Sequence, residues 1–253
     1  MTEPRVETLK RGGSRFYVNP ETKEKAIGVT SVTGMLPKPF LRYWATKLAA
    51  EWAVENVGTV TNLITSGEKE AAVDLIKKAP DRYTKGAADR GTAIHDLVEK
   101  ANIGEDLGIV HPDFRPDMAS YTKFLESFQP EFLEVESTVW SDTHGYAGTL
   151  DGICRIDNEV LIYDLKTGKS VYSEVALQLA AYKNADYIIN ADGTHRDIPD
   201  IQGAFVVHLR PDGYRVVPVR IDSDVFEVFT ALLQIVQWDS TIQKTVLGAD
   251  LEK

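Results

Sequence analysis

The sequence contains very little cysteine, because Cys154 is the only one among its 253 residues. An intramolecular disulfide and a zinc site built from several cysteines are therefore excluded, and a reducing compartment is expected. No apolar run approaches the roughly 18 residues that a membrane span requires. Residues 1–15 are polar and lack the apolar segment of a signal peptide. We therefore expect a cytoplasmic protein with no membrane partner.

The sequence also lacks the signatures of several common enzyme classes. It has no Gly-x-Ser-x-Gly nucleophile elbow and no His-Glu-x-x-His zinc motif. The segment Thr167-Gly168-Lys169-Ser170 resembles the end of a phosphate-binding P-loop, which requires a glycine five residues before Gly168. Tyr163 occupies that position. Nucleotide binding of the P-loop type is therefore excluded.

Negative charge predominates, with a formal net charge of −10, which argues against a nucleic-acid-binding protein. The distribution weakens that argument, because residues 1–50 contain nine Lys/Arg and only four Asp/Glu. An acidic remainder is compatible with a metal site, and equally with a surface whose charge only maintains solubility. The apolar fraction of 43% is enough for a sizeable hydrophobic core.

The most informative stretch comprises two predicted strands, residues 146–156 and 160–166. Asp164 and Lys166 are two positions apart and therefore share one strand face. The short loop between the strands predicts a hairpin, which would bring Asp151 close to Asp164 on one sheet face. Two adjacent carboxylates repel each other, and Mg²⁺ removes that repulsion by binding through carboxylates and substrate phosphate. Because a neighbouring lysine can stabilise charge on phosphate, this combination predicts phosphodiester hydrolysis.

Three motifs follow one another along the chain. They are Gly148-Thr149-Leu150-Asp151, Asp164-Leu165-Lys166-Thr167-Gly168 and Gln178-x-x-x-Tyr182. Each is weak alone, but their order and spacing are specific, with 13 residues from Asp151 to Asp164 and 12 from Lys166 to Gln178. In these features the chain resembles the PD-(D/E)XK nuclease superfamily, and within it the RecB-like branch of phage exonucleases and the mitochondrial genome-maintenance exonuclease. Some relatives bind an iron–sulfur cluster through four cysteines, which this chain lacks, so no such cluster is expected.

The resemblance implies a Mg²⁺ or Mn²⁺ site. Its ligands would be His95, Asp151, Asp164 and the carbonyl of Leu165, since a Gly-x-x-x-His helix of the family matches the sequence that ends at His95. Without the resemblance, a lone histidine is more simply interpreted as a structural or surface residue. Asp151, Asp164 and Lys166 would be the catalytic residues, with Lys166 positioning the attacking water.

The resemblance also implies contacts with a DNA strand. Gln178 and Tyr182 lie one helical turn apart and would orient the strand. Further contacts, by stacking and charge, are expected from the N-terminal helices, namely from Arg42, Trp44, Lys85 and Arg90. Glu99 and Glu136 are candidates for supporting the metal ligands. Glu99 is alternatively a solvated residue, and Glu136 is equally well interpreted as an exposed acidic strand edge that shares its strand face with Glu134.

The predicted fold is α/β, of the mixed α+β type, with a restriction-endonuclease-like core whose central mixed sheet is flanked by helices. Residues 1–85 would form a hairpin and a helical region packed on the core, and residues 86–253 the nuclease core. Residues 1–14 and 245–253 are expected to be loosely attached. The predicted helices cover residues 41–57, 67–79, 87–101, 116–128, 173–189 and 222–238. The predicted strands cover residues 15–18, 26–29, 131–140, 146–156, 160–166, 201–209 and 213–219.

These features predict a metal-dependent deoxyribonuclease, an exonuclease that acts on single-stranded or frayed DNA ends during replication, recombination or repair. A phage or bacterial host cytoplasm is expected by resemblance. Two alternatives stay open: a structure-specific endonuclease, and a DNA-binding recombination scaffold without catalytic activity. Presence of all the motif residues weighs against the scaffold. The sequence does not identify a protein partner.

Overall fold

The computed structural model describes residues 6–248, which form helices around one mixed β-sheet. The strands are β1 (Thr8–Arg11), β2 (Ser14–Val18), β3 (Lys25–Gly28), β4 (Glu131–Ser141), β5 (Tyr146–Ile156), β6 (Glu159–Lys166), β7 (Tyr187–Ile189), β8 (His195–Arg196), β9 (Gly203–Arg210) and β10 (Gly213–Val219). The α-helices are α1 (Val29–Thr33), α2 (Phe40–Glu55), α3 (Val57–Thr65), α4 (Lys69–Lys77), α5 (Ala79–Asn102), α6 (Arg115–Phe128), α7 (Glu174–Lys183) and α8 (Ser223–Ser240). In this part of the chain none of the helices combines the length and apolar content that a membrane crossing requires.

Strand β5 organises the sheet, because three other strands pair with it. β4 runs antiparallel along one edge of β5, from residue 146 to residue 155. The opposite edge is shared, since β3 pairs in parallel with residues 146–147 and β6 pairs antiparallel with residues 152–156. In the described structure, residues 148–151 therefore lie in a gap between the end of β3 and the end of β6. This gap is the position of the Gly-Thr-Leu-Asp motif.

Helices cover both faces of the sheet. Helices α1, α7 and α8 contribute to one hydrophobic core, and α5 and α6 contribute to a second. Alternate residues of the central strands enter different cores: Ile162 and Val206 belong to the first, Tyr163 and Val207 to the second. Strands β6 and β9 are thus buried on both faces, which explains why their sequences are nearly continuous apolar runs.

The chain divides into two compact units. One contains the sheet and comprises the residues up to Leu36 together with those from Ala93 onward; the other is the helical unit Pro37–Thr92. Within the helical unit, α2 and α3 contain no fully buried residue. Trp44 contacts Tyr83 edge-to-face, with the ring centroids 5.9 Å apart.

The expected α/β class, with a mixed sheet flanked by helices, is confirmed. The N-terminal hairpin is also present, but it belongs to the sheet because β3 pairs with β5. The observed division of the chain therefore differs from the one expected at residue 85. Thr8–Arg11 pairs with β2, so the prediction of a loosely attached segment is wrong there, whereas residues 1–5 and 249–253 lie outside the described residues.

Two predicted helix boundaries are wrong. Helix α5 begins at Ala79 instead of residue 87, because Pro80 lies in its first turn, where a missing N–H breaks no hydrogen bond. Helix α7 ends at Lys183, and the predicted continuation contains β7, Tyr187–Ile189. An aromatic and two β-branched residues favour a strand, and β7 pairs with β4.

Candidate metal centre

Asp151 lies in the gap between the ends of β3 and β6. Its Oδ2 accepts a hydrogen bond of 2.6 Å from the backbone N–H of Leu165. Regular pairing between β5 and β6 stops at Gly152 and Tyr163, so this bond joins the two strands just beyond it. Asp164 directly precedes Leu165, and the structure thereby brings together the two acidic positions that the hairpin predicts.

Three side chains from three elements form a cluster at this point: His95 from α5, Glu136 from β4 and Asp151 from β5. Each offers one potential ligand atom, and these atoms lie within 4.8 Å of one another. His95 Nδ1 is 3.7 Å from Asp151 Oδ1, which is longer than a hydrogen bond. One imidazole nitrogen and two carboxylates, separated in this way, suit a divalent cation.

Glu136 reaches the cluster through an irregular stretch of β4. Its φ is +46°, a left-handed conformation that is uncommon outside glycine and costs energy. Glu134 accepts a hydrogen bond of 3.0 Å from Arg196 instead, so the two glutamates predicted on one strand face have different partners. Local strain that directs an acidic side chain toward other acids favours a functional interpretation over an exposed edge.

A cavity of ≈10 Å³ lies beside this cluster, which is about the space of one water-sized group. Glu99 lines it and is only 6% exposed, so the interpretation of Glu99 as a solvated residue is wrong. Asn102 also lines the cavity; it donates to the hydroxyl of Tyr163 at 2.9 Å and accepts from the hydroxyl of Tyr121 at 2.6 Å. The sequence did not indicate this hydrogen-bonded wall, since its members belong to none of the motifs.

Electrostatic repulsion dominates the cluster. Burial, followed by the charges of Asp151, Glu99 and Asp96, raises the pKa of Glu136 to about 8. Concentrated acidic charge of this kind is stabilised by a cation bound between the carboxylates. The donor set therefore fits a divalent metal ion, and oxygen-rich sites favour Mg²⁺ or Mn²⁺.

Asp164 forms a second polar group beside the cluster. Its carboxylate is 1% exposed, and Lys166 Nζ lies 2.7 Å from Oδ1 and 2.6 Å from Oδ2. Gln178 Nε2 donates to Oδ1 at 3.1 Å. Within residues 6–248, Oδ2 has no bond of hydrogen-bond geometry, and its close contact is the ion pair with Lys166.

The charges of Asp164 and Lys166 depend on each other. Burial and the charge of Asp151 raise the pKa of Asp164 to about 6, although Lys166 opposes the rise. Burial lowers the pKa of Lys166, but the charges of Asp164 and Asp151 outweigh that effect and raise it above its ordinary value. Lys166 is therefore a cation at neutral pH.

The predicted ligands are thus only partly clustered. His95 and Asp151 lie together, but the third donor is Glu136, which the sequence indicates only as a supporting residue. Asp164 instead pairs with Lys166. Leu165 lines the cavity, and the contact that the structure shows for it is made by its amide.

Tyr182 is packed inside the protein. It is 2% exposed, and a Cβ atom added to Gly148 would lie 2.5 Å from Tyr182 Cε1. Gln178 Nε2 is 3.2 Å from the Tyr182 hydroxyl. This burial argues against the direct DNA contact predicted for Tyr182. The pair instead supports Asp164, since Gln178 bridges the Tyr182 hydroxyl and the Asp164 carboxylate.

The other predicted DNA contacts belong to the helical unit. Arg42 and Lys85 are exposed there, and Trp44 is half-buried beside Tyr83. Arg90 is half-buried in α5, five residues before His95. Arg42 and Lys85 are therefore accessible to a partner, whereas part of the Trp44 ring is covered by its contact with Tyr83.

Comparison with known proteins adds little. No family model and no curated protein matches the sequence. Among solved structures 16 chains match, and one, titled "Crystal structure of SSO0001", is 16% identical over 54% of this chain and 68% of that chain, with a TM-score of 0.30. A likeness at that TM-score carries no argument about fold or function.

Proposed function

We propose that this protein is a Mg²⁺- or Mn²⁺-dependent deoxyribonuclease that hydrolyses phosphodiester bonds. The observation that carries the proposal is the convergence of His95, Glu136 and Asp151 on one point, directly beside the Asp164–Lys166 pair. A metal bound there would activate water and polarise phosphate. The resemblance of the motifs to RecB-like nucleases supports the same chemistry.

Each residue of the site has a separate role in this proposal. His95, Glu136 and Asp151 would hold the metal ion, and Asp164 would offer a further carboxylate oxygen as a ligand. Lys166 remains protonated and stabilises negative charge that develops on the phosphate. Gln178 positions Asp164 through the hydrogen bond to Oδ1.

The preferred metal follows from the donor set. Carboxylates suit both Mg²⁺ and Mn²⁺, whereas an imidazole nitrogen binds Mn²⁺ more readily, in line with the general order of affinities. We therefore expect half-maximal activity at a lower concentration of Mn²⁺ than of Mg²⁺. Replacing His95 with Asn should reduce this difference, which titration of activity with each metal measures.

We further propose that the substrate is single-stranded or frayed DNA, which is degraded from an end. The protein would act in the cytoplasm of a bacterial cell, as a protein of the bacterium or of its phage. The support is the resemblance to exonucleases, together with exposed Arg42 and Lys85 in the helical unit. That unit contains nine Lys/Arg against seven Asp/Glu, so it is more basic than the rest of an acidic chain. Exposed cations and aromatic side chains are the usual means of holding a single strand.

The test uses end-labelled linear single-stranded DNA and a circular single strand, incubated with Mg²⁺, Mn²⁺ or EDTA. Wild-type protein should degrade only the linear strand, and only with metal. Asp151→Asn and Lys166→Met should be inactive, while Lys183→Met, at the far end of α7, should retain activity. Cleavage of the circle would establish the endonuclease alternative. Intact DNA with every divalent metal, despite binding, would exclude the enzyme and leave the scaffold.

A further inference from the structure

A second cavity lies on the side of Lys166 away from the metal ligands. Its volume is ≈580 Å³, and it is lined by the loop of residues 169–173, the first turn of α7, strands β9 and β10, and Arg220. Lys169, His208, Arg215 and Arg220 line it, and its lining within the described residues includes no acidic side chain. In a protein with a net charge of −10, this is a distinctly basic pocket.

The strand register aligns the basic residues with the candidate active site. Lys166 of β6 is the partner of His208 of β9, and His208 is the partner of Arg215 of β10. Residues that are directly opposite on adjacent strands point to the same sheet face. Because adjacent strands are about 4.8 Å apart, a row of three basic side chains extends about 10 Å from Lys166 across the sheet.

His208 is built into this row. It is 5% exposed, and its Nε2 donates to the carbonyl of Gly168 at 2.8 Å. Its Nδ1 is buried without a hydrogen-bond partner in residues 6–248. Because Nε2 carries a proton, Nδ1 of the neutral ring is an acceptor that an O–H group of a ligand, such as that of a monoprotonated phosphate, would satisfy.

Two exposed cations also favour an anion. The first turn of α7, which begins at Glu174, does not contribute, because the backbone N–H groups of Val175 and Ala176 donate to the carbonyls of Tyr172 and Ser173. Lys169 and Arg215 are exposed and form no ion pair in the described structure, whereas Arg220 is paired with Asp222 and Asp224. Lys169 and Arg215 are therefore the cations available to a ligand.

We propose that this pocket binds phosphate groups of nucleic acid, either those of the strand held at Lys166 or that of a released mononucleotide. The identity of the strand rests on the proposed function, whereas the phosphate chemistry rests on the pocket alone. The row from Lys166 to Arg215 would hold the strand beside the scissile bond. In this proposal the segment Thr167-Gly168-Lys169-Ser170, which is not a P-loop, would contribute Lys169 and Ser170 to phosphate binding.

The test measures binding without cleavage, on the 253-residue chain in EDTA. A fluorescent single-stranded oligonucleotide is titrated at several salt concentrations, and inorganic phosphate and a deoxynucleoside 5′-monophosphate are used as competitors. The double variant Lys169→Ala/Arg215→Ala is compared with the charge-matched control Lys123→Ala/Lys183→Ala. Lys169, Arg215 and Lys123 are exposed and Lys183 is half-buried, and thermal unfolding checks that all variants are folded.

For a bound strand, the double variant should weaken oligonucleotide binding about 100-fold, since each lost charge-assisted contact is worth about tenfold. The slope of log K against log salt should also decrease by about 1.4, which a merely structural effect would not produce. For a product site, mononucleotide binding alone should be lost. Wild-type affinity and slope in the variant, with unchanged mononucleotide competition, would overturn the inference. If the protein cleaves no DNA but its binding of the oligonucleotide depends on Lys169 and Arg215 of this pocket, the proposed function is refuted and this inference stands.

Discussion

Neutralising Glu136 is the most informative perturbation, because the metal-site interpretation predicts opposite effects with and without metal. The structure raises the pKa of Glu136 from its ordinary 4.5 to about 8. Between these two values the folded protein binds more protons than the unfolded chain. The free energy of unfolding therefore falls as pH rises through this window, by at most about 1.4 kcal/mol per pH unit.

The size of the effect on the free energy of unfolding follows from the interval between the two pKa values. The whole interval would correspond to about 5 kcal/mol, but Asp151 and Glu99 share the repulsion and can take up protons in place of Glu136. We therefore expect Glu136→Gln to stabilise the metal-free protein by about 2 kcal/mol at pH 8. For a chain of this size that is a rise in Tm of about 4–8 °C. At pH 4.5 the difference should vanish, since wild-type Glu136 is then protonated in the folded state.

Metal should reverse the order of stability. A cation at 100 times its Kd stabilises the wild type by about 2.7 kcal/mol, whereas the variant lacks one of three clustered donors. Thermal unfolding at pH 4.5 and pH 8, in EDTA and in Mn²⁺, measures both effects. Glu159→Gln, at the exposed start of β6, is the matched control and should change neither. A variant less stable than wild type in EDTA at pH 8, or equally stabilised by Mn²⁺, would refute the reasoning.

Four further predictions concern packing, the continuity of helix α5 and roles within the site. Gly148→Ala should destabilise the protein by about 1–3 kcal/mol, because its Cβ would lie 2.5 Å from the Tyr182 ring; denaturant unfolding measures this. Gly86→Ala, in the open interior of α5, should instead stabilise by about 0.5–1 kcal/mol, and a loss would contradict the helix. Lys166→Met should lower kcat at least 100-fold with oligonucleotide affinity within about threefold, and restored activity in Lys166→Arg would support a charge-based role. Gln178→Leu should reduce kcat less than Lys166→Met does, since Asp164 keeps its lysine partner.

Local patterns indicated the strand pair of the candidate site because the relevant relations are short-range. Asp164 and Lys166 are two residues apart on a strand, and a short hairpin connects that strand to Asp151. Their proximity follows from strand periodicity and from antiparallel pairing. The third donor of the cluster required the tertiary structure. Glu136 reaches the cluster because its own backbone in β4 is left-handed, and no periodicity predicts such a conformation.

Helix and strand ends were the least predictable features. Pro80 and Gly86 look like breaks in the sequence, yet α5 continues through both, since proline is tolerated in a first turn and packing elsewhere along the helix offsets a glycine. Tyr187–Ile189 looks like the end of an apolar helix but pairs with β4. For β7 a neighbour distant in sequence therefore decided the outcome.

The sequence by itself therefore determined the α/β class and the two strands that carry Asp151, Asp164 and Lys166. Periodicity and turn chemistry act over a few residues, and these relations fall within that range. Only the tertiary structure decided that Glu136 joins His95, that Tyr182 is enclosed, and that Lys166 and Arg215 lie in one row. Those relations depend on strand register and on backbone irregularity, which arise from packing across the whole sheet.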